Sequence, residues 1–129
     1  MTFPEDLKYT KEHEWIRVSG NIVTVGISDY AQEQLGEIVF VELPDEGEEF
    51  GKDDAFGVVE SVKSVNDIYS PISGRIVEVN DPVVDSPEIV NEDPYAEGWL
   101  VKVEMSDPKE LTELMTAKQY EAYIKEESE

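Results

Sequence analysis

Apolar residues recur in short runs along most of the chain, and they alternate with polar residues as in half-buried strands. Turn-forming glycine, proline, asparagine or aspartate separates most of these runs. The runs predict strands at 13–18, 22–27, 38–43, 56–62, from 68 onward, 75–80 and 99–105. Many short strands at intervals of roughly 8–15 residues favour a small β-sandwich or flattened barrel.

Helical signals are fewer, and most are short. Ser28 is the expected N-cap of a helix that ends at Gly36, and a second short helix is expected to begin at Pro87. Residues 81–87 read as a loop. From residue 106 the apolar spacing changes to that of a helix, and Thr116 is placed to cap a further helix. We expect residues 125–129 to be frayed.

The length of 129 residues suits one domain, because no linker is long enough to divide the chain. We therefore expect a single domain over 1–129, with a strand-rich core at about 22–104 and a C-terminal helical segment at about 107–126. The chain has no cysteine, so it forms no disulfide of its own. Any thiol or disulfide chemistry must arrive on an attached group.

Acidic residues dominate the charge, with 31 Asp and Glu against 10 Lys and Arg and a net charge of −21. This charge repels nucleic acids and anionic membranes and favours basic surfaces on partner proteins. Adaptation to a salty cytoplasm explains it equally well. No apolar run approaches the ~20 residues of a membrane helix, and residues 1–9 lack a signal-peptide pattern. We expect a soluble, cytoplasmic protein.

Conventional active sites find little support in the sequence. His13 is the only histidine, and a lone histidine in a predicted strand is more often structural than catalytic. With one histidine and no cysteine, the chain has no ordinary zinc site, and it has no glycine-rich phosphate loop. We therefore expect neither a metal site nor an enzyme in its own right.

Lys63 is the candidate functional residue, because the sequence places it in a turn over 61–67 between two strands. Rigid strands would hold its stem while its amine projects into solvent. That arrangement suits covalent attachment of a carrier group. On spacing alone, an ordinary surface lysine in a hairpin turn is the favoured interpretation.

The run Gly-Val-Val-Glu-Ser-Val-Lys at 57–63 closely resembles the lipoylation site of glycine cleavage system H proteins. Three further runs, at 8–15, 25–44 and 91–100, resemble signatures of the same family in the same order. The resemblance implies a mainly β, lipoyl/biotinyl-type fold, a flattened barrel-sandwich hybrid with short peripheral helices and a C-terminal helical segment. It also implies that Lys63 carries lipoic acid in amide linkage.

The resemblance further implies a non-catalytic shuttle of the glycine cleavage system. Such a carrier takes the aminomethyl group of glycine from the pyridoxal-phosphate glycine decarboxylase (P protein) to the tetrahydrofolate-dependent aminomethyltransferase (T protein). Dihydrolipoyl dehydrogenase (L protein) then reoxidises it, and a lipoate ligase or a lipoyl/octanoyl transferase attaches the group. Nucleic acid and membrane are not expected partners.

By the same resemblance, the loaded arm folds back into a surface cleft where a carboxylate faces its ammonium group. Glu14 and Asp67 are the candidates for this role. Asp67 is expected close to Lys63 in the turn, whereas the fold would have to bring Glu14 near. The alternative for Glu14 is an exposed side chain on a hairpin.

Rival interpretations remain open at the level of sequence. A biotin carrier normally has methionines on both sides of its lysine, but Val62 and Ser64 flank Lys63. A lipoyl domain of an acyltransferase would usually have Asp before the lysine, Ala after it and a linker. An H-like protein that relays lipoyl groups to other enzymes, or an unmodified interaction protein, also fits the sequence.

Overall fold

Two antiparallel sheets form the body of the molecule, whose computed structural model describes residues 1–128. The strands of this part of the chain are β1 (Lys8–Tyr9), β2 (Glu14–Ser19), β3 (Ile22–Ile27), β4 (Ile38–Glu42), β5 (Glu49–Phe50), β6 (Ala55–Ser61), β7 (Val65–Tyr69), β8 (Gly74–Val79) and β9 (Val101–Met105). The larger sheet has the order β1-β2-β3-β9-β8-β5, and the smaller has the order β4-β6-β7. The predicted mainly β, flattened sandwich is confirmed, and between residues 1 and 128 the sheets keep free edges instead of closing into a barrel.

Two apolar clusters stabilise this arrangement. Buried residues from both sheets form the main cluster, and β-branched side chains dominate it because they pack well on a pleated surface. The second cluster joins the N-terminal segment to the C-terminal helix. Tyr9 and Tyr120 stack there with ring centroids 4.6 Å apart and planes 3° apart.

The helices lie at the periphery of the sheets. They are α1 (Asp29–Leu35), α2 (Asp81–Asp85), α3 (Ile89–Glu92) and α4 (Ala117–Ser128), with a 3₁₀ helix at Pro108–Glu113. The caps of α1 and α4 are confirmed, since Ser28 Oγ accepts the amide of Ala31 and Thr116 Oγ1 accepts the amide of Gln119. Local sequence signals set both of these helix starts.

Three predictions about the helices are wrong. Residues 81–87, expected to form a loop, contain α2. A proline fits the first turn of a helix, because amides there have no hydrogen-bond partner within the helix. The next helix begins at Ile89 with Glu88 at the N-cap, and Pro87 precedes it. Helix α4 continues to Ser128, so the expected fraying of 125–129 is wrong up to that residue, and Glu129 lies outside the described residues.

Candidate functional site

Lys63 lies at the tip of the β6–β7 hairpin. Glu60 pairs with Val65, and the Ser61 amide donates to Ser64 O at 2.8 Å, which leaves only Val62 and Lys63 inside the turn. The predicted turn over 61–67 is therefore too long. Polar residues 66 and 67 continue the strand because β7 is an edge strand whose side chains reach water.

Ser61 holds the hairpin tip in one conformation. Its buried hydroxyl oxygen lies 3.3 Å from the Lys63 amide and 3.1 Å from the Ser64 amide, and it accepts from both. The Val62 amide donates to Glu37 O at 3.1 Å, in the segment between α1 and β4. The Ser61 hydroxyl thus braces the turn from within, and the Val62 amide attaches it to the body of the protein.

Gly36 forms the floor beneath the lysine stem. Its backbone has φ 80° and ψ −152°, a combination that only glycine adopts readily. A Cβ at this position would lie 3.7 Å from Lys63 Cε, so the stem passes directly over the glycine. Lys63 is exposed, and no ion pair involves it in the part of the chain that the structure describes.

Asn91 of α3 fixes the segment that supports the tip. Its Oδ1 accepts the Ile38 amide at 2.8 Å, and its Nδ2 donates to Gly36 O at 2.8 Å and to Gln32 Oε1 at 2.9 Å. One side chain therefore joins α1, α3 and the start of β4. This side chain, 28 positions from Lys63 in the sequence, holds the segment that the hairpin tip contacts through Glu37.

Glu14 is buried in β2, with only 2 % of its surface exposed. Thr10 Oγ1 donates to its Oε1 at 2.6 Å, and the Tyr69 amide donates to its Oε2 at 3.3 Å. Burial raises the pKa of Glu14 to about 7, although these two hydrogen bonds oppose the shift. The alternative of an exposed Glu14 is wrong, because the fold encloses this edge of the hairpin.

Asp67 is exposed in the middle of β7, so its expected place in the turn is wrong. It lines a cavity of about 390 Å³ with Leu35 of α1, whereas Glu14 lines a neighbouring cavity of about 470 Å³. Glu12 and Tyr69 line both cavities. The two candidate carboxylates therefore line adjoining cavities that share two residues, and not one common cavity.

His13 lies just before β2 and not in a strand, since its φ of 72° breaks the extended conformation. Its Nδ1 lies 2.9 Å from Tyr120 Oη, which lies 2.7 Å from Ser28 Oγ. Its Nε2 lies 3.6 Å from a carboxylate oxygen of Glu127, and burial lowers the pKa of the imidazole. These contacts attach α4 to the start of α1, which is a structural role.

Among residues 1–128, no group of three or more His, Asp or Glu residues is arranged to hold a metal ion. No helix there combines the length and apolar character that crossing a membrane requires.

Sequence reasoning did not identify Ser61, Gly36 or Asn91 as part of the site. For Ser61 and Gly36 a local signal existed, because Ser beside a turn and Gly after a helix have known conformational uses. For Asn91 no local signal existed. Its role depends on a contact between segments that are distant in sequence.

Comparisons with known proteins identify relatives over almost the whole chain. The family model described as Glycine cleavage H-protein matches residues 7–127. A glycine cleavage system H protein from Anaeromyxobacter sp. (strain K) is 55 % identical over 127 residues, covering 98 % of this chain and 99 % of the relative. One from Carboxydothermus hydrogenoformans is 56 % identical over 126 residues, covering 98 % and 97 %. The crystal structure of a glycine cleavage system H protein from Mycobacterium marinum superimposes with a TM-score of 0.86 at 42 % identity, covering 92 % of this chain and 96 % of that one.

Proposed function

The chain belongs to the glycine cleavage H-protein family, and from this premise we propose that Lys63 carries lipoic acid in amide linkage. As a member of the family, the protein is a lipoyl carrier of the glycine cleavage system and a non-catalytic subunit of it. One observation above all supports attachment at this residue. Lys63 stands exposed at a two-residue hairpin tip, where an enzyme can reach its amine.

The surroundings of Lys63 fit such a group. Ser61 and the Glu37 carbonyl hold the backbone of the tip, and Gly36 leaves room for the stem. A rigid base and a mobile arm are what a carrier needs, because the attached group then swings about a fixed point. The 390 Å³ cavity beside β7 offers a place for the arm to rest.

Held by Lys63, the lipoyl group would supply the disulfide and dithiol chemistry that carrying the aminomethyl group of glycine requires and that this cysteine-free chain lacks. We propose that the carrier therefore visits the glycine decarboxylase, the aminomethyltransferase and dihydrolipoyl dehydrogenase in turn. A lipoate ligase or a lipoyl/octanoyl transferase would modify it first. The cytoplasmic location stays a prediction.

We propose that Asp67 and Glu14 face the lipoyl arm at two distances from the hairpin tip. Val65 and Tyr69 mark the ends of β7, and four residues at about 3.3 Å each place them ~13 Å apart. An arm that starts at the tip and lies along β7 passes Asp67 first. At Tyr69, which lines both cavities, the arm passes into the neighbouring cavity of Glu14, where a buried carboxylate interacts strongly with an ammonium group.

Intact-mass analysis of the protein co-expressed with a lipoate ligase tests the attachment. We expect the mass increment of one lipoyl group, mapped to the peptide that contains Lys63. Lys63→Arg should abolish it, and Lys118→Arg, at another exposed lysine, should not. An increment on any other lysine contradicts the proposal, and a biotin increment from the native host identifies a carboxylase carrier instead.

Exchange of labelled bicarbonate into glycine, with purified glycine decarboxylase, tests the shuttle itself. The lipoylated protein is expected to support exchange, and the Lys63→Arg variant is not. Full lipoylation without any exchange would assign the protein to the relay of lipoyl groups.

Glu14→Gln tests the role of the buried carboxylate. The amide keeps an acceptor for Thr10 or Tyr69 but cannot balance an ammonium charge. We expect normal lipoylation and a release of ammonia from the loaded protein that is about tenfold faster, as a loss of about 1.4 kcal/mol of protection implies. Glu46→Gln, an exposed control, should release ammonia at the wild-type rate. Equal rates of ammonia release in the wild type and both variants would contradict a role for Glu14 in protecting the loaded arm.

A further inference from the structure

The outer face of the small sheet carries large apolar side chains close to Lys63. Strand register places Phe40, Glu60 and Val65 side by side across β4, β6 and β7. Cross-strand partners project from the same face of a sheet. Phe40 is 47 % exposed and Val65 is 65 % exposed, so this row of side chains meets solvent.

The row has apolar neighbours on the same end of the sheet. Val39 is 49 % exposed beside Phe40, and Val62 is 71 % exposed in the hairpin tip. Of the seven exposed large hydrophobic residues between residues 1 and 128, these four gather around Lys63. Such gathering marks an interaction site more often than scattered exposed residues do.

An acidic row lies behind the apolar one. Register places Glu42, Val58 and Asp67 in line across the same three strands, with the two carboxylates at the outer positions. The two rows are two residues apart along the strands, or about 7 Å. We name these two rows the outer strip: Phe40, Glu60 and Val65 in front, and Glu42, Val58 and Asp67 behind.

We propose that the outer strip is the docking surface for the enzyme that attaches lipoate to Lys63, and that this enzyme presents a patch of apolar and basic residues. This inference rests on the proposed function. Charge complementarity supports it, because basic residues would meet Glu60 between the two apolar side chains and Glu42 and Asp67 in the row behind. Proximity to Lys63 supports it as well.

The attaching enzyme is favoured over other partners as the occupant of the outer strip, because it must come close to Lys63 itself. Enzymes that act on the finished arm can bind further away, since the arm spans the gap. The attaching enzyme works before the arm exists, so it must bring Nζ of Lys63 itself to an activated lipoyl donor. Nζ loses a proton to the enzyme and bonds to the donor's acyl carbon, while the bond from that carbon to the leaving phosphate or thiolate breaks.

Steady-state lipoylation of the unmodified chain by a purified lipoate ligase, with ATP and lipoate, tests the apolar row. The double variant Phe40→Thr/Val65→Thr keeps β-forming residues but removes the apolar surface. We expect the KM for the protein substrate to rise about tenfold or more, with kcat unchanged. Val18→Thr, at an exposed valine of β2, is the matched control and should keep the wild-type KM.

The acidic row is tested by the salt dependence of lipoylation. Because ions screen exposed charge pairs, salt should raise the KM of the wild type; Glu42→Gln should raise KM at low salt and make it less sensitive to added salt. Glu121→Gln, on α4, makes the same charge change far along the chain and should alter neither quantity. Asp67 is left intact here because it also lines the cavity beside β7.

Direct binding provides a readout that needs no modification. Two variants are titrated with the ligase: Lys63→Arg, and the triple variant Lys63→Arg/Phe40→Thr/Val65→Thr. Thermal melts first show that both variants are folded. A Kd for the triple variant that is about tenfold higher than for Lys63→Arg supports the proposal. A Kd and a KM within twofold of the parent overturn it while leaving lipoylation of Lys63 intact, and wild-type protein that takes no lipoyl group overturns both proposals.

Discussion

Glu14 combines deep burial with a charge that the fold does not neutralise. Two donors satisfy its oxygens, yet desolvation outweighs them and raises the pKa to about 7. Near neutral pH the carboxyl group of Glu14 is therefore partly protonated.

Gly36 is the second residue of interest, because it adopts a backbone conformation that is strained for other residues. Each residue makes its own testable contribution to stability.

For Glu14 the prediction concerns pH. Because the folded-state pKa of about 7 lies above the usual 4.5, the unfolded chain loses the proton first as pH rises. The free energy of unfolding should therefore fall between these two pH values, by roughly 3 kcal/mol at most from this group. Urea denaturation at about pH 5 and about pH 8 should show a smaller fall for Glu14→Gln than for the wild type.

The matched control for this experiment is Glu46→Gln, which removes the same charge from an exposed residue that does not act on Glu14. It should keep the wild-type dependence on pH. If both variants flatten the dependence equally, the general acidity of the protein and not Glu14 is responsible.

For Gly36 the prediction concerns backbone strain. Gly36→Ala should lower the free energy of unfolding by about 1–3 kcal/mol, because alanine is strained at this φ and ψ. The new methyl group would meet Lys63 Cε at 3.7 Å, an ordinary contact, so the backbone is the cause. Gly51→Ala is the comparison, since the contact there is the flexible carboxylate of Asp54. Equal losses at both glycines would exclude the strain argument.

Among the elements, the β6–β7 hairpin is not independent of the helices. The Val62 amide bonds to Glu37 O, and Asn91 of α3 holds the residues on either side of Glu37. A short helix that contributes little to the sheets therefore sets the position of the tip. This explains how α1, α3 and β4 share in a site that lies on β6 and β7.

Asn91→Ala tests this link between elements. The substitution leaves the Ile38 amide and the Gly36 carbonyl without their partner, at a cost of roughly 1–3 kcal/mol. We expect native-state hydrogen exchange of the Val62 amide to become about tenfold faster or more. Asn66→Ala, which loses a bond to exposed Ser64, should leave that exchange rate unchanged. An unchanged Val62 rate in Asn91→Ala would show that the tip does not depend on α3.

At the scale of the whole molecule, charge and core act in opposite directions. The net charge of −21 repels itself across a compact body, while two apolar clusters hold that body together. Strand β2 serves both clusters, since Trp15 faces one and Ile16 the other. This shared strand supports one domain over 1–129, which stays a prediction.

Self-repulsion predicts that salt stabilises the protein. Raising NaCl from about 0.01 M to about 1 M shortens the Debye length from about 30 Å to about 3 Å and screens the acidic surface. We expect Tm to rise by several degrees, at about 4 °C per kcal/mol for a chain of this size. A variant with Gln at four exposed acids (Glu33, Glu46, Glu121 and Glu126) should melt higher at low salt and gain less from added salt. A Tm that is independent of salt would contradict this account.

The sequence by itself determined most strands, the cap of α1 at Ser28 and an exposed Lys63 between two strands. Each of these depends on residues close together in the chain, where alternation, turn chemistry and capping act. Only the tertiary structure decided the burial of Glu14, the support of the tip by Asn91, and the alignment of Phe40 with Val65. Those facts depend on which distant segments pair and in what register, and local periodicity carries no information about pairing.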